Sequence, residues 1–231
     1  RVLILASSKR LIALRDLLKK DSVTAFSTVP ALFQPFFDKA SINTLYLAFK
    51  ENQKIDRNEL ISNLVENGYD PADLVTKPSS YALRGSVIDI FPSNSKYPVR
   101  IDLDDDLISS ISIFDTDTQK TLRKINSFIV RPSRGFVLNI NSIKIFKKNW
   151  RSRFKDDGEV FESVSKGKFI SGIEFYSSLF YDEKPSLKDY LNGFNIFIVG
   201  DVKSESKNYW ELINNRYEEF LGDVNRPILR P

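Results

Sequence analysis

The stretch from Tyr81 to about Val130 consists of short β-forming runs that turn-forming residues interrupt. Asp and Asn side chains satisfy nearby backbone donors and tolerate tight backbone geometry, so the segments Pro92–Ser95 and Asp104–Asp106 favour turns. This pattern predicts an antiparallel sheet that is built from hairpins. The predicted strands are Tyr81–Phe91, Val99–Leu103, Leu107–Phe114 and Leu122–Val130.

Mixed strand-like and helical sequence precedes this β-rich stretch. The apolar run Val2–Leu5 predicts a buried strand, and leucines at helical spacing follow it. Another strand is predicted at Thr44–Phe49. Asp56 and Glu59 are then spaced like a capping box, and Gly68 is placed to end the helix that they begin.

Helical sequence returns after Pro132, and one apolar run interrupts it. The spacing of apolar residues predicts helices at Ser142–Lys155, Glu159–Lys166 and Ser204–Leu221. The run Ile196–Val199 predicts a buried strand. The chain therefore divides into an N-terminal α/β segment, a β-rich insert and a C-terminal α/β segment. The two α/β segments are expected to belong to one layered domain, which the insert interrupts.

The charge balance of the chain is mild, because 34 basic residues face 30 acidic residues and the formal net charge is +4. Such a balance allows nucleic-acid binding but does not require it. The densest basic stretch lies on a predicted amphipathic helix, with Trp150 on its buried side and the lysines outward. This face is either a solvated helix surface or a patch that contacts phosphates. Its basic residues are Lys144, Lys147, Lys148, Arg151, Arg153 and Lys155.

Cysteine and histidine are absent from the sequence. Their absence removes disulfides, thiolate ligands and the side chain best suited to proton transfer near neutral pH, so we assign no catalytic residue, no metal ligand and no cofactor. No apolar run approaches the ~20 residues that a membrane helix needs, so we expect a soluble protein that stays in the cytoplasm. The sequence has no Met and starts at Arg1, which indicates a piece of a longer protein or a fragmentary sequence.

Two local motifs suggest ligand binding, but their surroundings argue against it. Gly167 and Lys168 resemble the end of a phosphate loop, yet the other positions that such a loop requires hold Glu162 and Phe169. The acidic run at residues 102–106 offers oxygen ligands of the kind that divalent cations prefer. It lacks the glycine and the closing glutamate of a calcium loop, so we favour a solvated turn.

Two arginines lie within the β-rich runs. Arg84 directly precedes Gly85, and Arg100 holds a similar position on the next strand. A long cation within a strand must point out of the sheet or pair with a carboxylate. Either the two arginines form ion pairs with Asp89 or Asp102, or they are exposed binding residues.

Three segments of this region resemble the pattern shared by UvrB and the transcription-repair coupling factors. They occur in the order and with the gaps of that pattern. The resemblance continues upstream at Gly68 and Tyr69, and downstream at Gly172–Tyr176, where it is closer to the coupling factors. The three segments are Tyr81–Pro92, Pro98–Asp102 and Ile113–Gln119.

The resemblance implies a degenerate helicase-like α/β domain of the P-loop NTPase type, which a β-rich, mostly antiparallel domain interrupts. In UvrB an acidic pair that serves the ATP site follows the later apolar strand, whereas here Asp201 stands alone. The resemblance therefore implies that this chain is not an enzyme and that an ATP-dependent motor lies outside it. The implied segments are a remnant of domain 1a at residues 1–45, domain 2 at 46–132 and domain 1b at 133–231.

The resemblance also implies UvrA as the partner of the β-rich insert in nucleotide excision repair. Arg84 and Arg100 match the two arginines with which the family contacts UvrA, whereas Asp104 stands where an aromatic residue is usual. RNA polymerase and DNA would be bound by regions absent from this chain. Two alternatives stay open, which are a fragment of UvrB itself, the damage-verifying ATPase subunit, and a DNA-binding module based on the basic helix.

We predict no ATP hydrolysis and no measurable nucleotide affinity, because neither a phosphate loop nor an acidic metal-binding pair is present in the sequence. Calorimetric titration of the chain with ATP and Mg²⁺ checks this, and a P-loop ATPase in the same buffer is the positive control. A dissociation constant in the mid-micromolar range or tighter would contradict the prediction.

Overall fold

The computed structural model describes residues 10–11, 13–18, 24, 26–33, 39, 42, 45–134, 136–182, 190–221 and 229. The strand predicted at Val2–Leu5 lies outside these residues. The chain divides into two compact units. The first unit comprises residues 1–12 and 40–138, and the second comprises residues 13–39 and 139–231.

Strands dominate the described part of the first unit, and helices dominate that of the second. In chain order, the elements with defined bounds are α1 (Val29–Phe33), β1 (Leu47–Lys50), α2 (Arg57–Glu66), β2 (Asp70–Pro71), β3 (Ser80–Arg84), β4 (Val87–Phe91), β5 (Val99–Asp104), β6 (Leu107–Phe114), β7 (Thr121–Lys124), β8 (Ser127–Val130), α3 (Ile140–Arg151), α4 (Glu159–Ser165), a 3₁₀ helix (Ile173–Phe180) and α5 (Val202–Phe220).

Six strands of the first unit form one sheet in the order β2-β3-β4-β5-β6-β7. β2 pairs with β3 in parallel, and each of the other neighbouring pairs is antiparallel. β1 and β8 form a separate antiparallel pair. The mixed α/β class and the antiparallel sheet that the sequence predicts are therefore confirmed.

Two of the predicted strands are broken in the structure. Arg84 pairs with Val87, so Gly85 and Ser86 form a two-residue turn between β3 and β4. Gly85 has a φ angle of 57°, a left-handed conformation that glycine adopts without a steric penalty. The predicted strand Leu122–Val130 is also divided, because its second half, β8, pairs with β1 and not with the large sheet.

One face of the six-stranded sheet forms the core of the first unit. Ile88 and Ile90 on β4, Ile101 on β5 and Ile111 on β6 are fully buried in one cluster, which Leu64 of α2 joins. Burial of each such side chain contributes ~1.5–3 kcal/mol relative to leaving it exposed. The main chain of this sheet is thereby held against α2, and the opposite face carries charged residues beside a second, smaller apolar cluster of Val75, Ala82, Phe91 and Phe114.

The ends of α2 follow from its capping residues. The side chain of Asp56 accepts hydrogen bonds from the backbone N–H groups of Asn58 and Glu59, at 2.8 Å and 3.0 Å. At the other end, Gly68 has a φ angle of 81°, and a Cβ added there would lie 2.9 Å from side-chain carbons of Arg134. The predicted helix, with Asp56 before it and Gly68 after it, is confirmed.

Tyr69 links three segments of the first unit. Its hydroxyl group donates a hydrogen bond of 2.6 Å to the carbonyl oxygen of Arg131 and accepts one of 3.2 Å from the backbone N–H of Ser93. The ring belongs to the core cluster, and burial raises the pKa of Tyr69 to about 12. The segments after α2, β4 and β8 are therefore joined at one buried hydroxyl group.

An aromatic cluster organises the described part of the second unit. Trp150 and Phe146 of α3 are fully buried, and their ring centroids lie 5.4 Å apart. The rings of Phe161 on α4 and Tyr176 on the 3₁₀ helix lie 5.9 Å and 5.4 Å from that of Trp150. The side chain of Lys148 is exposed. The predicted phase of this helix, with Trp150 inward and Lys148 outward, is confirmed.

The buried strand predicted at Ile196–Val199 is wrong. These residues form no strand, and they are exposed, with Phe197 at 87%. A strand requires a neighbour that satisfies its backbone N–H and C=O groups, and the apolar character of a run does not supply that neighbour. Hydrophobic composition alone therefore does not predict a buried strand at this segment.

We expect Tyr69→Phe to lower the free energy of unfolding by about 1–3 kcal/mol, because it leaves the buried N–H of Ser93 and the carbonyl of Arg131 without a partner. Urea denaturation followed by circular dichroism measures the change. Tyr97→Phe is the control, since no hydrogen bond of its hydroxyl group is found in the described structure, and it should change the stability by less than about 0.5 kcal/mol. Equal effects of the two changes would contradict the linking role of Tyr69.

The same substitution should alter the alkaline limit of stability. Because the folded pKa of Tyr69 is raised to about 12, its contribution is complete below the unfolded pKa of about 10 and is lost as the pH rises through 12. The stability difference between the parent and Tyr69→Phe should therefore shrink between these pH values. Denaturation series at several alkaline pH values measure it, and a constant difference would contradict the assigned pKa.

Candidate functional site

The face of the sheet opposite the core carries a row of aligned residues, three of which are polar. Ala82 on β3, Asp89 on β4, Arg100 on β5 and Ser112 on β6 are successive cross-strand partners, so their side chains lie on the same face. Arg84 lies two residues beyond Ala82 on β3 and therefore shares this face. We call these residues, with Asp102 and Asp104, the outer face.

Asp89 is the centre of an ion cluster on the outer face. Its side chain is 0% exposed. Arg100 donates hydrogen bonds to both of its carboxylate oxygens, from Nε at 2.7 Å and from Nη2 at 2.9 Å. Arg84 donates a hydrogen bond from its Nη2 to the second of these oxygens. Both arginines therefore make the intramolecular ion pair with Asp89, while Asp102 accepts a hydrogen bond of 2.6 Å from the hydroxyl group of Ser110.

Three hydrogen bonds and one aromatic ring fix the guanidinium group of Arg100. Besides its two bonds to Asp89, its Nη1 donates to the carbonyl oxygen of Gln119 at 3.3 Å. Its Cζ lies 4.4 Å from the centroid of the Phe114 ring, which is a favourable cation–π geometry. The hydrogen bond to Asp89 raises the pKa of Arg100. Only 18% of the Arg100 side chain is exposed, so this residue is largely part of the sheet surface.

Arg84 is held differently. Its side chain is 44% exposed, and the two-residue turn of Gly85 and Ser86 follows it. Nη1 of Arg57 donates a hydrogen bond of 2.6 Å to the carbonyl oxygen of Gly85 and thereby restrains this turn. The sequence contained no signal for this contact, since Arg57 and Gly85 belong to different elements. Arg84 is therefore an accessible cation on a fixed turn.

The three charges of the cluster do not cancel. Two guanidinium groups surround one carboxylate, so the cluster carries one net positive charge at neutral pH. A buried ionised carboxylate is costly unless it is paired, which explains why both arginines turn toward Asp89. The accessible Arg84 contributes this net charge at the surface.

An acidic end borders this positive cluster on β5. Burial alternates along the strand, so Arg100, Asp102 and Asp104 lie on the outer face while their neighbours enter the core. Asp104 is exposed at the end of β5, and Asp105 forms the following turn with a φ angle of 51°. Among the residues that the structure describes, no group of acidic side chains is arranged to hold a metal ion.

The phosphate-loop-like Gly167 and the single acidic residue Asp201 both lie at helix ends in the structure. Gly167 follows α4 with a φ angle of 70°, and the backbone N–H of Lys168 donates to the carbonyl oxygen of Ser163 at 2.9 Å. A phosphate loop stands before a helix, whereas this glycine stands after one. Asp201 caps the start of α5, where its side chain accepts a hydrogen bond of 3.0 Å from the N–H of Ser204.

Three basic residues of α3, Lys144, Lys148 and Arg151, are exposed, Lys147 is half-buried, and two of the exposed ones have acidic neighbours. Nζ of Lys148 lies 2.8 Å from Oδ1 of Asp182, and Nη2 of Arg151 lies 3.7 Å from Oδ2 of Asp157. Surface pairs of this kind typically contribute ~0–1 kcal/mol. They reduce the positive charge that this face presents to phosphates.

No described helix combines the length and the apolar character that crossing a membrane would require.

A family model that describes the UvrB interaction domain matches residues 47–136. Residues 47–136 are therefore similar to a UvrB interaction domain. The match contains all six strands of the large sheet and therefore the whole outer face. The similarity to individual proteins extends beyond this segment.

The chain is similar to transcription-repair-coupling factors. It is 33% identical to that of Haemophilus influenzae over 190 residues, which cover 80% of this chain and 17% of the relative. The corresponding protein of Escherichia coli is 32% identical over 190 residues, with the same coverage of 80% and 17%. The chain thus spans about a sixth of the length of these relatives.

The chain is also similar to UvrABC system protein B of Neisseria meningitidis serogroup B. The identity is 27% over 218 residues, which cover 83% of this chain and 32% of the relative. The similarity to both kinds of protein accords with the pattern that the sequence segments share. Together these matches extend over both units.

We expect Arg100→Ala to destabilise the protein more than Arg84→Ala. The first change removes a largely covered side chain that makes three hydrogen bonds and should cost about 2 kcal/mol. The second removes an exposed ion-pair partner and should cost less than about 1 kcal/mol. Urea denaturation measures both.

Arg123→Ala provides the control for these substitutions. Arg123 pairs with Ile113, whose side chain packs against the core cluster, so the alignment puts Arg123 on the opposite side of the sheet from the outer face. It should change the stability by less than about 0.5 kcal/mol. Equal losses for Arg84→Ala and Arg100→Ala would contradict the difference in how the two residues are held.

Proposed function

We propose that this chain recruits UvrA through the outer face of its six-stranded sheet, as the docking module of a transcription-repair coupling factor in nucleotide excision repair. One observation carries the proposal. The match to the UvrB interaction domain encloses a sheet on which Arg84 is an accessible cation beside the buried Asp89. The sequence segments that resemble the family's UvrA-binding pattern contain these same residues.

The chemistry of the outer face suits a partner that carries carboxylates. The guanidinium group is planar and offers a fork of N–H donors that fits a carboxylate in two-point fashion. Arg84 and Arg100 are the proposed docking residues, and residues 46–132 the proposed docking domain. Asp104 stands where the family usually has an aromatic residue, so less apolar area would be buried at that point. A partner of this chain would accommodate a carboxylate there.

The flanking segments, residues 1–45 and 133–231, are proposed to be remnants of a helicase-like domain that no longer hydrolyses ATP. The positions of Gly167 and Asp201 at helix ends support this. The backbone N–H of Gly167 donates to the last turn of α4, and the side chain of Asp201 accepts from the first turn of α5. The same role for Asp201, with no glutamate beside it, favours a coupling factor over a fragment of UvrB. RNA polymerase and DNA would be engaged by parts of the longer relatives that this chain does not span.

We expect the full chain to bind UvrA of the same organism, and Arg84→Ala to weaken that binding by about 30-fold or more, which corresponds to ~2 kcal/mol for a charged contact at an interface. Arg100→Ala should also weaken it. Isothermal calorimetry or biolayer interferometry measures the affinity, and circular dichroism establishes that each variant is folded. Arg123→Ala removes the same charge from the opposite side of the sheet and should bind as the parent does.

Three results would contradict the docking role. They are an absence of UvrA binding by the parent chain, unchanged binding by both outer-face variants, and an equal loss for Arg123→Ala. A DNA-binding module based on α3 would behave in another way. It would bind duplex DNA with an affinity that falls steeply with salt concentration, as phosphate contacts release counterions.

A further inference from the structure

We infer that the two arginines of the outer face have different tasks. Arg84 is the residue that contacts the partner, and Arg100 is a positioning residue that acts through Asp89. This inference rests on the proposed docking function and deepens it. The juxtaposition that carries it is the shared, fully buried carboxylate of Asp89 between one covered and one accessible guanidinium group.

The hydrogen bonds of the two arginines are distributed unequally. A guanidinium group has five N–H donors. Arg100 uses Nε and Nη2 for Asp89 and Nη1 for Gln119, and its π face lies over the Phe114 ring. Among the described residues, Arg84 hydrogen-bonds through Nη2 to Asp89, and its remaining donors are free for a carboxylate from outside.

The charge of Asp89 decides which arginine is available. Arg100 donates a hydrogen bond to each carboxylate oxygen of Asp89, so it provides most of the compensating positive charge that this buried carboxylate needs. Arg84 then needs to supply one contact only, and it keeps its positive charge for the partner. Without the charge of Arg100, Arg84 would be the sole counter-ion of a buried carboxylate and would be drawn onto it.

A second restraint acts on Arg84 from its backbone. The bond from Arg57 to the carbonyl oxygen of Gly85 fixes the turn, and the contact with Asp89 orients the side chain. A side chain that is oriented before binding loses less conformational entropy on binding. Asp89, Arg100 and the restrained turn therefore position the side chain of Arg84 together.

Conservative substitutions separate a contact residue from a positioning residue. Lysine keeps the positive charge but lacks the planar fork of donors. Arg100→Lys still neutralises Asp89 and should bind UvrA within about threefold of the parent, whereas Arg84→Lys loses a two-point contact and should bind about tenfold more weakly. A direct contact by Arg100 would make the two lysine variants equally weak, and that result would overturn the inference.

A charge-balanced double variant tests the same inference by a second route. Arg100→Gln should weaken UvrA binding about tenfold, because Asp89 then captures Arg84. Arg100→Gln combined with Asp89→Asn removes both members of the pair, leaves no unpaired buried charge and returns the net charge of the cluster to that of the parent. We expect this double variant to regain most of the lost affinity. If Arg100 contacts UvrA directly, removing Asp89 restores nothing, and the inference is wrong.

The outcomes distinguish this inference from the docking function itself. If the full parent chain does not bind UvrA, or if Arg84→Ala binds as tightly as the parent, the proposed function fails and the inference fails with it. If the parent binds, Arg84→Ala binds weakly and neither Arg100→Lys nor the double variant retains affinity, the docking function stands and only the division of tasks is overturned.

Discussion

The outer face of the sheet depends on the burial of a single carboxylate. Asp89 has no exposed side-chain surface, and an ionised carboxylate in that environment costs several kcal/mol unless cations compensate it. Arg100 reaches it across the β4–β5 pair, and Arg84 reaches it from the end of β3. The orientation of both arginines and the single net positive charge of the cluster are consequences of this one requirement.

The sheet supplies the geometry that makes this compensation attainable. β4 lies between β3 and β5, so a side chain on β4 has one neighbour from each side on the same face. The period of two along each strand sends isoleucines into the core and the charged residues to the opposite face. A register shift of one residue would exchange these faces, so the hydrophobic core also determines where the arginines stand.

The described second unit is built by aromatic packing around Trp150, with helix ends that local polar residues satisfy. Gly167 and Asp201 have structural roles at these helix ends. The similarity to coupling factors and to UvrB extends over most of the chain, although the chain spans 17% of the former and 32% of the latter.

The sequence by itself determined the elements whose signals are local. The hairpin turns at Asp104–Asp106, the cap at Asp56, the ending at Gly68 and the inward phase of Trp150 depend on neighbouring residues, and the family resemblance depends on short segments. Tertiary structure decided the rest. The pairing of Arg84 and Arg100 with Asp89, and the hydrogen bond from Arg57 to Gly85, depend on which strands and helices lie side by side. The exposure of Ile196–Val199 depends on the lack of a neighbouring strand among the described residues. Such contacts are set by register and packing, because hydrogen bonds and ion pairs require specific distances that no residue pattern records.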